Sequence, residues 1–514
     1  MHRSNSLQPN GMTVAFWKSA KALSLAAIVA VAVLIISGGM VNPAYAHHLK
    51  KGESESLPVT TSSAKARELY EKGMADYENL YLERCNDDWR AAVAEDPSLA
   101  LAWAWIAFNS SNPEEVSAAR AKAKALLPKI SDGEQLMVTW IAKIQEGDYL
   151  GGITAMNDMI EMYPHDKDVL YLAGNWMLLE NGDDQAQRIM NKVLALDKNF
   201  PPALNDLAYV EARNREFTKC LAAMDRYVAL LPKEPNPQDS YGELLRMSGD
   251  FEGSLVHYRA ALKIDPDFVT SQLGLGDTYA LMGNQEQARV EYDKAIRFAH
   301  NEADRLTYAM QKAMTFVRDG NFAEADKEYQ QIAEDAHAKD QDLQEAQALG
   351  HMAEYQTDDN IALKHLKMAE EALGHRPSIS ATDRDEELSR ILRYRAVRAA
   401  RAGNQPLADQ SLHQLEALAN GNHNRVIQSS YHGAAGSLLM LQKDMDQEKY
   451  EAAIAHLEED QENPFTLELL VQAYYKTYQP DKLHEVEVKL RGTNMPTMEQ
   501  ALVVPAARAR RPTI

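Results

Sequence analysis

Large apolar, small and polar positions recur along the middle of the chain with a period of 34 residues. Gly147, Asn181, Arg215, Gly249 and Gly283 form one column. Five residues on, Gly152, Ala186, Cys220, Ser254 and Ala288 are small in every unit, and Trp140, Gly174, Ala208, Gly242 and Gly276 are small in four of five. Met156, Met190, Met224, Tyr258 and Tyr292 are all large and apolar or aromatic, while Pro164, Lys198, Pro232, Pro266 and His300 mark unit boundaries. A fixed period of this length is the signature of stacked supersecondary units. Helical patterns over Leu273–Leu281 and Gln287–Phe298 flank Met282-Gly283-Asn284, which predicts two short antiparallel helices joined by a tight turn. Small residues let the two helices approach, and the large columns fill the space beside them. Proline ends the second helix because it cannot continue the hydrogen-bonded run or tolerate a helical residue before it. One pair buries too little by itself, so stacking must supply the core.

The clearest unit, Thr270–His300, resembles the tetratricopeptide repeat (TPR) family. It carries a Leu-Gly pair at Leu275-Gly276, a first-helix Tyr at Tyr279, a turn Gly at Gly283, and small, aromatic and small second-helix positions at Ala288, Tyr292 and Ala295. It departs from the family at Gln272, where Trp is usual, and at His300, where Pro is usual. Five such units run in register over residues 133–302. Looser units precede them over 64–132, with Gly73, Cys85, Trp89, Ala92 and Pro97 in the matching columns of the first. Others follow over 303–492, with turns at Gly320-Asn321 and Gly403-Asn404 and extra length in loops such as Gly374–Asp383. The resemblance implies an all-α fold, an α-solenoid of about 10–12 stacked antiparallel helix pairs forming a TPR-like superhelix. Residues 47–63 read as a flexible leader and 493–514 as a basic tail bearing Arg508, Arg510 and Arg511.

The N-terminus has its own pattern. Arg3, Lys18 and Lys21 precede the apolar stretch Ala22–Val41 and the small-x-small site Ala44-Tyr45-Ala46, the layout of a secretory signal peptide over residues 1–46. A periplasmic or secreted protein without a stable membrane span after cleavage is the expectation. The alternative is a membrane anchor formed by the uncleaved helix. Met12 would give a more usual basic region than Met1.

Charge and chemistry narrow the function. With 75 acidic against 54 basic residues the net charge is −21, which repels nucleic-acid phosphates, so no nucleic-acid partner is expected. Cys85 and Cys220 cannot make a disulfide scaffold, and both fall in the same small column, which suits buried free thiols. No GxSxG elbow, P-loop, HExxH helix or CxxC pair occurs. Gly274-Leu275-Gly276 lies inside a helix and lacks the third Gly of a dinucleotide loop. His47-His48 could chelate copper at a freed terminus, but two polar residues at a mobile end are the preferred reading. No enzyme, cofactor or metal is expected.

The resemblance further implies that the first helix of each unit lines a concave groove for peptide segments. The family's groove positions fall on Asp168, Tyr171, Asn175, Asn205, Tyr209, Asp239, Glu243, Arg246, Thr270 and Asp277. This gives a mildly acidic channel suited to a protein or peptide partner of basic or neutral character. A carboxylate-clamp groove is not implied, because Tyr171, Asn205 and Asp239 stand where that subtype has Lys. The reading is an exported non-enzymatic scaffold for protein interaction; the alternative is a carrier or accessory enzyme that binds a small molecule, glycan or metal in the concavity. The register also places Ala288 between the paired helices and Gln285 in an exposed turn.

Overall fold

A computed structural model describes residues 56–511, apart from Leu80, Ser111, 180–181, His300, 375–378 and His423. The signal-like segment and His47-His48 lie outside the described residues. Among the described residues there are 25 α-helices and no strand. The first pairs are α1 (Ala64–Glu78) with α2 (Leu82–Glu95) and α3 (Ala100–Asn109) with α4 (Pro113–Leu126). The regular units follow: α5 (Asp132–Gln145) and α6 (Tyr149–Met162), α7 (Lys167–Leu179) and α8 (Asp183–Leu196), α9 (Pro201–Arg213) and α10 (Phe217–Leu230), α11 (Asn236–Ser248) and α12 (Phe251–Ile264), α13 (Val269–Leu281) and α14 (Gln285–Phe298). Beyond them lie α15 (Glu302–Arg318) and α16 (Phe322–Ala338), α17 (Asp342–Tyr355) and α18 (Asp359–Leu373), α19 (Ala381–Arg401) and α20 (Gln405–Asn422), α21 (Arg425–Met440) and α22 (Gln447–Leu457), α23 (Pro464–Lys476) and α24 (Pro480–Arg491), and a last helix α25 (Met498–Ala509). Each pair packs on itself and on the next, so the chain is an all-α solenoid.

The columns explain the packing. A Cβ at Gly276 would lie 2.6 Å from the Tyr292 ring, at Gly174 2.8 Å from Met190, and at Gly242 3.1 Å from Tyr258. Each small first-helix position thus receives the large second-helix residue of its own unit. Ala186, Cys220, Ser254 and Ala288 are fully buried where paired helices cross. At the turns, Gly147, Gly249 and Gly283 take left-handed backbone, and Arg215 does so without being glycine. The residue after that position often caps the second helix: Asp148, Asp250 and Asn284 accept from the backbone N–H three residues on. Gly320 and Gly403 repeat the left-handed turn, with Asn321 and Asn404 as the accepting residues.

Several local expectations change. Gln285 is not in an exposed turn. It begins α14, is buried, and its Nε2 donates to the Ala280 carbonyl at 2.8 Å. Much of the extra downstream length is helix, since α15 and α16 have 17 residues each and α19 has 21. The end of the leader is docked: Leu57 N–H donates to Asp166 at 2.7 Å and Thr60 N–H to Glu134 at 2.6 Å. The tail is folded over most of its length as α25, whose Met498, Val504 and Ala507 are buried. Apolar residues at helical spacing gave that segment a face to bury, which its charge had obscured.

The superhelix is tight enough for remote units to touch. Tyr81, between α1 and α2, donates to Glu234 at 3.0 Å and packs edge-on against Phe268. Thr382 donates to the Ile144 carbonyl at 2.7 Å, and Asn424 to the Tyr149 hydroxyl at 2.8 Å. On α19, the buried Arg390, Arg393 and Arg398 pair with Glu354 and Glu387, Asp460, and Asp359. Cys85 and Cys220 are buried thiols outside any disulfide, Cys85 Sγ accepting from the Asn109 amide at 3.4 Å, and burial pushes the Cys220 thiol up to about 12. No described helix is long and apolar enough to cross a membrane.

Candidate interaction face

Residues one unit apart become neighbours on the first helices of the array, and polar side chains there bond from unit to unit. Asn175 of α7 donates to Asp206 of α9 at 2.8 Å, and Asn205 reaches the other Asp206 oxygen at 3.5 Å. Tyr209 of α9 donates to Glu243 of α11 at 2.7 Å. Arg246 joins Glu243 at 3.1 Å to Asp277 of α13 at 2.5 Å, and Tyr292 donates to Asp277 at 2.6 Å. Ser271 closes a parallel link by donating to Asp239 at 2.6 Å. Tyr209, Glu243, Arg246 and Asp277 therefore form one continuous chain, while Asn175 and Asn205 gather on Asp206. Tyr171 packs edge-on against Phe200 instead. Thr270 stands outside the chain, its hydroxyl buried without a hydrogen-bond partner among the described residues.

These residues are less open than a groove lining would be. Asp239, Arg246 and Tyr171 are buried, while Asp168 is exposed. Two remote parts of the chain cover the face. From one side come Tyr77, Glu78 and Tyr81 at the end of α1; from the other come residues 494–500 leading into α25. Position within a 34-residue unit identifies the stripe, but it carries no information about which distant unit folds across it. Glu78 and Arg318 reach this face from outside the regular units, whereas Asp206 and Ser271 stand beside the groove positions Asn205 and Thr270 on the same helices. Asp206 was within reach of sequence reading, being an acid beside Asn205 on the same helix.

Burial sets the electrostatics. It holds the Asp206 carboxyl up to about 6, against the pull of Asn175 and Asn205, and that of Glu78 up to about 7, with Asp168 adding to the rise. Asp168 is itself raised by burial and by Asp166, with Lys167 opposing. The Arg246 guanidinium stays firmly charged, since Tyr258 and Asp277 outweigh its burial. Arg318 is held down to about 10 by burial, with Tyr292 and Asp277 partly offsetting it. The face is thus acidic over α7–α9 and ends in a cation at α15. No group of three or more His, Cys, Asp or Glu suited to a metal ion occurs among the described residues.

The geometry defines a helical-repeat solenoid with a polar inner stripe. Within it, residues 242–283 match a family profile described as TPR repeat and residues 269–301 one described as tetratricopeptide repeat. Residues 242–301 are thus tetratricopeptide repeats. No curated protein matches it. Solved structures to which it is similar include Pseudomonas aeruginosa PilF, at 16% identity over 50% of this chain and 94% of that one, TM-score 0.29. A tetratricopeptide repeat protein from Parabacteroides merdae aligns at 11% identity over 60% and 99%, TM-score 0.35. The APC/C Cut9–Hcn1 hetero-tetramer aligns at 14% over 84% and 79%, TM-score 0.42.

Proposed function

We propose that this protein is an exported, non-enzymatic scaffold that binds protein or peptide segments of basic or neutral character along the acidic part of its inner face. Repeats of this family suggest protein–protein interaction scaffolding. The observation that supports the sign of the partner is the closeness of Glu78 to Asp168, which adds to the rise that burial gives the Glu78 carboxyl, with Asp206 raised by burial further along the face. An arriving ammonium or guanidinium would favour their charged forms and gain Coulomb energy where solvent screens little. Asp168 is the accessible member of the group.

The test is a pull-down from envelope extract with the full chain and its Asp168→Lys variant. Asp168 is exposed, so the substitution leaves the core intact. Reproducible partners should be recovered by the wild type and strongly depleted with the variant. Equal recovery by both chains, or recovery of acidic proteins alone, would defeat the reading.

A further inference from the structure

The cationic end of the inner face is covered by α25 rather than by a neighbouring repeat. Met498, Val503, Val504 and Ala507 are buried there, against α15, α17, α23 and α24. Arg318, the last residue of α15, donates to the Gln500 side-chain oxygen at 2.6 Å and toward the Thr497 carbonyl at 3.4 Å. Tyr394 of α19 donates to Glu499 at 2.8 Å, and Asn494 to the Met247 carbonyl at 3.3 Å.

Two features of this contact do not suit a permanent core element. The first is Pro505 within α25, on its exposed side. It removes a backbone donor and crowds the preceding turn, so α25 owes its helix to the surface beneath it more than to its own propensity. The second is the pairing of Arg318. Every other inner or α19 arginine described above has a carboxylate at ion-pair distance, whereas Arg318 meets only amide and carbonyl oxygens among the described residues. Asp277 influences it but is already engaged by Arg246 and Tyr292, and Arg508 adds like charge. Gln500 is thus the neutral isostere of the glutamate that this guanidinium would hold more strongly.

We propose that the surface under α25 is a docking site for an amphipathic helix of a partner protein carrying a carboxylate at the place of Gln500, and that α25 is its displaceable internal occupant. This rests on the reading that the inner face receives protein segments. It assigns the chemistry of one end: small apolar anchors spaced as Val503, Val504 and Ala507 are, and an acid for Arg318. A partner with the better acid exchanges with α25, and binding releases residues 498–509.

The test uses the full chain and needs no partner. Hydrogen exchange over residues 498–509 is compared among wild type, Gln500→Glu and Gln500→Ala. A charge-assisted bond in place of a neutral one should slow exchange of this helix about tenfold in Gln500→Glu, and Gln500→Ala should accelerate it while α5–α14 stay unchanged. A synthetic peptide of residues 494–511 with Glu at position 500 should then bind Gln500→Ala at least about tenfold more tightly than wild type. Unchanged or faster exchange in Gln500→Glu, locally or throughout, overturns the proposal. So does peptide binding that ignores the Gln500→Ala change. Concentration-dependent dimerisation of Gln500→Ala in sedimentation would assign the site to a second copy of the chain and overturn the partner assignment. None of these readouts depends on Asp168, so the scaffold reading stands or falls separately.

Discussion

Ala288 has no solvent exposure where α13 and α14 meet, and the room it leaves is already filled by its neighbours. Ala288→Leu should therefore destabilise the chain by about 1–3 kcal/mol through overpacking. Gln285→Leu, three residues earlier, should cost about 1 kcal/mol because it removes the buried bond to the Ala280 carbonyl. Glu286→Ala, on the exposed side between them, should stay within about 0.5 kcal/mol. Denaturant titration ranks the three, and hydrogen exchange should confine the Ala288→Leu damage to α13–α14 and the units beside them. Equal tolerance of Ala288→Leu and Glu286→Ala would mean that the small column does not lie between the helices.

At the scale of elements, regular and irregular units are held by different forces. The regular pairs interlock through complementary small and large side chains, as Gly276 does with Tyr292. Helix α19 instead carries buried arginines whose partners come from α17, α18 and the segment after α22. Arg393 pairs with Asp460 at 2.7 Å and donates to Thr466 at 2.9 Å. Arg393→Met should cost about 3–5 kcal/mol near neutral pH, because the buried Asp460 carboxylate loses its compensating charge. Adding Asp460→Asn should recover much of that loss. A double variant no more stable than Arg393→Met, measured by calorimetry, would show that the pair is not the source of the cost.

For the whole molecule, stability should depend on pH through buried acids. Glu78 is held near 7, Asp206 near 6 and Glu459 near 7, all raised chiefly by burial. A carboxyl raised in the folded state binds more protons there than when unfolded. Its contribution is therefore largest at low pH and is lost as pH rises from about 4 through 7. Glu115, lowered by Arg90, and Asp148, lowered by Lys143, act in the opposite sense: their contributions are lost as pH falls below about 4.5. The thermal midpoint should accordingly peak near about pH 5 and decline toward pH 8, and Asp206→Asn should flatten the alkaline side. A midpoint that climbs steadily from pH 5 to 8 would show that these carboxyls are not desolvated as described.

The sequence by itself determined the repeat. Its period places Gly174 opposite Met190 and Gly276 opposite Tyr292, and it puts left-handed residues at turns such as Gly249 and Gly283. Packing within a unit is local, so side-chain volume at fixed spacing is enough to specify it. The candidate face was legible to the same extent: Tyr209, Glu243, Arg246 and Asp277 share a stripe because they share a position in the unit. What covers that stripe was decided only by tertiary structure. Tyr81 reaching Glu234, Asn494 reaching Met247 and Arg318 held by Gln500 all join segments more than 150 residues apart. Such contacts depend on the accumulated rotation between successive units, a small angle in each that no column of residues encodes but that adds up over the array.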